Sequence, residues 1–383
     1  MERDLTIGYV TIDDPNDRRS WSGIHNFLLV ALRKRVARVV PIGPLRPQPE
    51  LFLSRAFNQV LLRVFKKRFN YRASWIMARA YARVIKRRTK GLDLIIAPAG
   101  LPTVTLIDPG VPIIYFNDRC TAGAMHYHRI LWDLAEFSRK ESLAVEHRTF
   151  QNSDLVVFSS DWAAEGARKA YPDIADKLRV IPMGANLDAA PAPPEPRKFP
   201  PERLKLLMLG VNWVDKGGPI AYEALQELKR NGHAAQLVVV GCTPPPGFDD
   251  ADLVREGFLN KNVPADMAKL VEHLRTADFL ILPTRFEAYG IVFCEAAAYG
   301  LPVLATRTGG IPTVVQDGRT GFLFDAEEGG GAYAKRVMEM IKEPQRWHDM
   351  RLAARARYEG ILNWEAFVQN LLDHAPLPRR RSR

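Results

Sequence analysis

Cysteine is scarce: three residues, Cys120, Cys242 and Cys294, stand far apart in a chain of 383. An odd, scattered set supports neither a disulfide framework nor metal-ligand spacing. It fits small buried apolar residues in a reducing cytosol. No apolar run approaches the ~18 residues that a membrane span needs. The amino terminus runs from Met1 almost directly into a strand, without a basic region, apolar core and cleavage site, so a secretory signal is not expected. No Gly-x-Gly-x-x-Gly follows that first strand, and no Walker phosphate loop occurs. No Asp-x-Asp stands out as a metal site, and the histidines lack zinc spacing. The expectation is therefore a cytoplasmic protein with no metal and no resident cofactor. One last shortage is local: from Leu51 to Leu92 there is no Asp or Glu against twelve Lys and Arg. That region carries more than the whole net charge of +11, and a second basic cluster ends the chain at Arg379–Arg383. Such asymmetry points to a polyanionic partner: membrane lipid, nucleic acid or an acidic polymer.

What is present is alternation. Strand-like apolar runs at Leu5–Ile12, Ala37–Ile42, Leu92–Ala97, Pro112–Phe116, Asp154–Phe158 and Leu178–Ile181 alternate with helical patterns near 23–35, 53–69, 73–89, 129–150 and 161–170. Six prolines then fall within thirteen residues, Ala189 to Pro201, a density that predicts a semi-rigid linker. After it the alternation restarts, with strands at Leu204–Leu209, Gln236–Val240, Phe279–Leu282, Val303–Ala305 and Phe322–Phe324. Helices are expected near 217–230, 264–275, 291–299, 331–342, 344–358 and 363–374. The length exceeds what one core usually supports, and the pattern predicts α/β architecture: two doubly wound parallel-sheet domains.

The most informative segment runs from Pro283 to Val303. Glu287 lies in a strand-to-helix loop at the carboxyl end of a strand, where open α/β sheets bind ligands. Glu295 follows eight residues later, about two turns into the helix. Gly290 and the next amides, those of Ile291 and Val292, sit at the helix start, where unpaired N–H groups and the helix dipole favour a phosphate. An anion cradle flanked by two carboxylates suits a phosphate attached to sugars. The pattern Pro-Thr-x-x-Glu-x-x-Gly-x-x-x-x-Glu-Ala-x-Ala-x-Gly-x-Pro-Val resembles the Glu-x7-Glu signature of retaining glycosyltransferases of family 4, which have the GT-B fold. The likeness continues through Thr308–Gly318 and Thr320–Phe324, and appears upstream at Gly210–Gly218, Phe158–Trp162 and Val180–Gly184. It covers residues from about 154 to 325 well and the first 150 only loosely.

The resemblance implies a GT-B arrangement, with two Rossmann-like domains facing across a cleft: an acceptor-side domain at 1–187, a linker at 188–203 and a donor-binding domain at 204–362. A last helix and basic tail, 363–383, would cross back to the first domain. It implies a retaining, metal-independent transfer of a hexose from a nucleotide-sugar, which is a substrate and not a cofactor, to a saccharide or lipid-linked acceptor. Lys216 and Gly217 would meet the donor diphosphate, together with the amides after Tyr289. Glu295 would hold the ribose and Glu287 the sugar hydroxyls. The family usually places an arginine five residues before the lysine; Val211 stands there, which leaves two outcomes: Arg285 or Arg307 compensates, or the donor sits differently. Gly23, before the first helix, matches a glycine that approaches the donor. Many relatives keep a histidine at the strand end where this chain has Asp118, which could act as a base; His126 and His128 are acceptor-side candidates for the same place.

The basic region offers two outcomes. Phe57, Leu61, Val64 and Phe65 recur at helical spacing among Arg63 and Lys66–Arg68, as do Tyr81, Val84 and Ile85 among Arg83 and Lys86–Arg88. Such helices either lie on an anionic membrane with the apolar face down, here the inner face of the cytoplasmic membrane, or pack that face on the domain's sheet. Nucleic acid is not expected, because no recognised binding motif accompanies the run. Two further classes remain open at this point. One is a sugar-nucleotide epimerase or hydrolase on the same fold, which would need no acceptor. The other is a non-enzymatic basic adaptor, which would bind no nucleoside diphosphate.

Overall fold

The structure is a computed structural model and describes residues 3–125, 127 and 133–376. Two compact units divide the chain. One takes the residues up to Pro182 together with those from Trp364, and the other is Met183–Asn363. No described helix is long and apolar enough to cross a membrane.

The first unit is built on a six-stranded sheet of β1 (Arg3–Val10), β2 (Val36–Ile42), β3 (Leu94–Pro98), β4 (Ile113–Asn117), β5 (Leu155–Phe158) and β6 (Leu178–Val180). The spatial order is β2-β1-β3-β4-β5-β6, and each neighbouring pair is parallel. Strands covered on both faces read as continuous apolar runs, and β3, Leu94-Ile-Ile-Ala-Pro, is buried throughout. The helices are α1 (Ile24–Arg33), α2 (Glu50–Phe65), α3 (Trp75–Lys86), the short α4 (Thr121–Ala124), α5 (Glu136–Gln151) and α6 (Asp161–Ala170).

The second unit repeats the plan with β7 (Leu204–Leu209), β8 (Ala235–Val240), β9 (Leu253–Gly257), β10 (Phe279–Leu282), β11 (Val303–Thr306) and β12 (Gly321–Phe324), in the order β12-β11-β10-β7-β8-β9. Its helices are α7 (Gly218–Arg230), α8 (Pro264–Thr276), α9 (Ile291–Ala298), the short α10 (Ile311–Val314), α11 (Gly330–Lys342) and α12 (Pro344–Gly360). Counted within the unit, this is the doubly wound order 3-2-1-4-5-6, whose direction reverses between β7 and β10.

The final helix, α13 (Trp364–Asp373), belongs to the first unit. Phe367 is buried with its ring 4.8 Å from that of Phe116 on β4, and Arg3 donates to the Leu372 carbonyl at 2.7 Å.

The proline-rich stretch is packed rather than free. Phe199 stacks on Trp347 of α12 at 4.1 Å, Arg197 reaches Asp278 at 2.9 Å, and Arg351 donates to the Glu195 carbonyl. Prolines remove backbone donors, so the side chains and carbonyls of this segment fasten it to the second unit instead.

The two basic amphipathic helices meet different fates. In α3 the apolar positions Met77, Tyr81 and Ile85 are buried in the first unit's core. In α2 Leu61 is buried, but Leu53, Phe57, Val60 and Val64 are 46–64% exposed. Their spacing of four, three and four residues makes one stripe along the helix. Phe57 also touches Phe69 and Phe137, with ring centroids 5.2 and 6.2 Å apart.

Candidate active site

In the second unit the loops after β7 and β10 meet where the strand order reverses. The Arg285 amide and the Thr284 hydroxyl both donate to the Asp215 carbonyl, at 3.0 and 3.1 Å. Gly217 has φ +77°, and a Cβ there would stand 1.9 Å from the Pro283 carbonyl oxygen. Only glycine permits that conformation and that approach, so Gly217 is what lets the two loops touch.

Lys216 uses this closeness. Its stem passes over Gly210, where a Cβ would come within 2.8 Å of the lysine Cγ. Its Nζ then donates to Glu287 Oε2 at 2.6 Å, with both side chains mostly buried. Lysine is disfavoured beside a helix start by the dipole, and the Glu287 carboxylate supplies the compensating charge. Glu287 is itself held by its backbone, whose carbonyl accepts from the Gly310 amide.

Gly290, in the left-handed region, precedes α9. From Phe293 to Ala298 that helix is buried on every side, and three consecutive alanines allow close packing against α12. Glu295 is the one acid in this apolar helix and is only 3% exposed. Its partner is Lys261, from the segment between β9 and α8, with Nζ 2.6 Å from Oε1. Lys261 did not emerge from the sequence, since it lies in no motif and pairs with Glu295 only through the fold. Burying a carboxylate without a partner is costly, so an acid in a helix of this kind is itself a cue to look for a nearby cation.

The remaining expected donor residues divide. Tyr289 turns its ring into the core, its hydroxyl donating to the Met183 carbonyl at 2.8 Å, so only its backbone can face a ligand. Arg285 is exposed at the same loop. Arg307 pairs instead with Asp317 and Asp325. Asp250 and Asp252 are joined through Lys229, which neutralises them together. Among the described residues no three His, Cys, Asp or Glu side chains gather as a metal site.

In the first unit Trp21, Ser22 and Gly23 are three consecutive residues with positive φ ahead of α1. For Trp21 and Ser22 this conformation stores roughly 1–3 kcal/mol each. It places the Trp21 ring between His25 and Phe116, 5.2 and 5.6 Å away, with the indole N–H donating to Asp118 Oδ2 at 3.2 Å. Asp118 at the end of β4, Gly23, Trp21 and His25 therefore form one cluster at the sheet's carboxyl edge. Trp21 and His25 were missed because no spacing links them to Asp118. His25 is 3% exposed, its Nδ1 has no hydrogen-bond partner, and burial pushes its pKa down to about 4. His126 and His128 lie outside the described residues.

The comparisons with known proteins follow this geometry. The family model for glycosyl transferases group 1 matches residues 203–343, most of the second unit. The D-inositol 3-phosphate glycosyltransferase of Thermobifida fusca is 39% identical over 122 residues, 32% of this chain and 26% of that protein. The GDP-mannose-dependent alpha-(1-6)-phosphatidylinositol monomannoside mannosyltransferase of Mycolicibacterium smegmatis is 27% identical over 265 residues, 64% of this chain and 67% of that protein. The chain thus spans between about a quarter and two thirds of the length of these relatives. Among solved structures, Anabaena Alr3699/HepE in complex with UDP matches with a TM-score of 0.66 at 16% identity, over 96% of this chain and 99% of that one. That likeness covers both units and shows the fold to be the GT-B one.

Proposed function

We propose, from the match of residues 203–343 to the glycosyl transferases group 1 family model, that the chain is a glycosyltransferase that moves a hexose from a nucleoside-diphosphate sugar with retention of configuration and without a metal. The observation that carries this reading is the Lys216–Glu287 pair, 2.6 Å apart where the two switch-point loops meet. A lysine, a left-handed glycine and a helix start converging on one place make a seat for a diphosphate. The GDP-mannose in the M. smegmatis relative's name and the UDP in the Anabaena structure both contain a nucleoside diphosphate, which supports the same ligand class.

In the proposed reaction Lys216 shifts from Glu287 to the diphosphate, and Glu287 is released to sugar hydroxyls. Glu295, oriented by Lys261, takes the ribose. The bond from the anomeric carbon to the phosphate oxygen breaks as the acceptor oxygen bonds to that carbon on the same face. The departing phosphate takes the acceptor proton. Catalysis is then chiefly positioning and stabilisation of the charge that develops on the leaving diphosphate. The first unit takes the acceptor, and Asp118, fixed by the Trp21 indole, accepts a hydrogen bond from its hydroxyl.

The finer assignment of place is an anionic membrane surface, with the exposed stripe of α2 lying in the interface and Arg63 and Lys66–Arg68 against the headgroups. Each such charge adds about 1 kcal/mol before screening. Sedimentation with phosphatidylcholine vesicles, with and without phosphatidylglycerol, tests it: salt-sensitive binding to the anionic vesicles is expected, and equal binding to both or to neither contradicts it. For the reaction, proton NMR of the earliest product should show the donor's anomeric configuration in the presence of EDTA. An inverted linkage, or turnover abolished by the chelator, would overturn the mechanism.

A further inference from the structure

The first unit holds a further polar cavity, lined by none of the residues expected at the donor or acceptor site but in part by the basic region 51–92. A cavity of about 210 Å³ opens at the carboxyl edge of its sheet. Ile12 and Asp13 follow β1, and Leu45, Arg46 and Gln48 follow β2; the Leu45 amide donates to the Ile12 carbonyl at 2.9 Å and joins the two loops. Leu51 and Arg55 of α2, with Tyr71, Arg72 and Tyr81, complete the lining.

Three arginines therefore come from three separate segments to one small cavity that contains a single acid. Among the described residues none of the three makes an ion pair, whereas nearby Arg83 is paired with Glu50. Guanidinium groups gathered with so little opposing charge repel one another, and an anion relieves that repulsion. A planar donor fork suits the oxygens of phosphate better than a point charge does. Tyr71 and Tyr81 add phenolic groups to the lining. The volume is below the roughly 300–1,000 Å³ of pockets that enclose a whole ligand, so the site suits a group and not an entire nucleotide. Asp13, which lines the cavity, also acts electrostatically on both Tyr81 and His25. The cavity and the Trp21–His25–Asp118 cluster are thus neighbours along one sheet edge.

We infer that Arg46, Arg55 and Arg72 bind a phosphate group of the acceptor, which makes the acceptor a phosphorylated sugar, polyol or lipid headgroup. This rests on the glycosyltransferase reading for the word acceptor, but the anion site itself does not depend on it.

The test is calorimetric titration of the full chain with inorganic phosphate and with glycerol 3-phosphate, both in saturating UDP so that any diphosphate site in the second unit is filled. R55Q and R72Q should each weaken phosphate binding about tenfold, and R55E should abolish it. R87Q with R88Q, equally basic but outside the cavity, should bind as the unaltered protein does, and all variants should keep the same melting temperature and UDP affinity. Binding of soluble glycerol 3-phosphate would indicate a soluble acceptor. Arginine-dependent binding seen only with phosphatidylglycerol vesicles would indicate a lipid one. Phosphate binding that R55E leaves intact, or that R87Q with R88Q weakens equally, would overturn the site. Failure of the unaltered protein to bind either UDP or GDP would instead strike the donor reading.

Discussion

The two units are each built on a six-stranded parallel sheet, ordered 2-1-3-4-5-6 in the first and 3-2-1-4-5-6 in the second, and their carboxyl edges are furnished differently. The second unit's edge joins two loops through Gly217 and closes with two lysine–carboxylate pairs, Lys216–Glu287 and Lys261–Glu295, each 2.6 Å apart. The first unit's edge carries a strained turn, an indole bonded to Asp118, a buried neutral histidine and a cavity of arginines. The same backbone plan thus supports a fixed, charge-compensated seat in one case and a cationic, incompletely compensated surface in the other. Fold alone does not say which is which; the side chains at the edge do. A seat whose charges are already paired suits a donor group common to many reactions. An edge with unpaired cations suits a more particular partner.

The largest expected effect tests whether the second unit's seat depends on its closed loops. Gly217→Val places a branched side chain at φ +77° against the Pro283 carbonyl and should cost roughly 3–5 kcal/mol of stability, read from chemical denaturation. Gly23→Ala in the first unit, at φ +90°, should cost only about 1 kcal/mol. Equal losses would show that the two loops are not built differently.

Next is acidity. His25 has a folded pKa pushed down to about 4, against an ordinary value near 6.5. A depressed pKa contributes stability that is complete above the unfolded value and is lost as pH falls, here between about 6.5 and 4. The loss should approach roughly 3 kcal/mol. His25→Phe should remove that share of the acid sensitivity, seen as a smaller stability difference between pH 7 and pH 4.5 than in the unaltered protein. An identical difference in both would mean that the histidine is not held neutral.

The legibility of the sequence divides along the same line. Buried parallel strands declared themselves as continuous apolar runs, so the eleven expected strands fall within about two residues of those observed. The missed strand, β9, is an edge strand reading Leu-Val-Arg-Glu-Gly, and its polar residues follow from exposure on one side. The second unit's candidate site could be proposed from the sequence because Lys216, Gly290, Glu287 and Glu295 lie in two short segments with fixed offsets. Lys261, Trp21, His25 and the three arginines were not, because tertiary contact alone brings them to their places. The split between α2 and α3 was likewise hidden: both have the same basic amphipathic pattern, and only the packed structure shows which apolar stripe is covered.

A smaller effect sharpens the contrast from the first unit's side. Asp118→Asn should lower kcat about tenfold while leaving nucleotide affinity unchanged, since the Trp21 indole and the acceptor would face an amide in place of a carboxylate. Weaker nucleotide binding in that variant would place Asp118 with the donor instead.

The central claim is that the second unit's switch-point loops seat a nucleoside diphosphate. Calorimetric titration of UDP and GDP into the unaltered protein, Lys216→Ala and Glu295→Gln tests it most directly. One of the two nucleotides should bind, and each substitution should weaken it by roughly 1.5–3 kcal/mol through loss of a charged contact, with the fold intact by circular dichroism. Affinity unchanged in both variants would contradict the assignment.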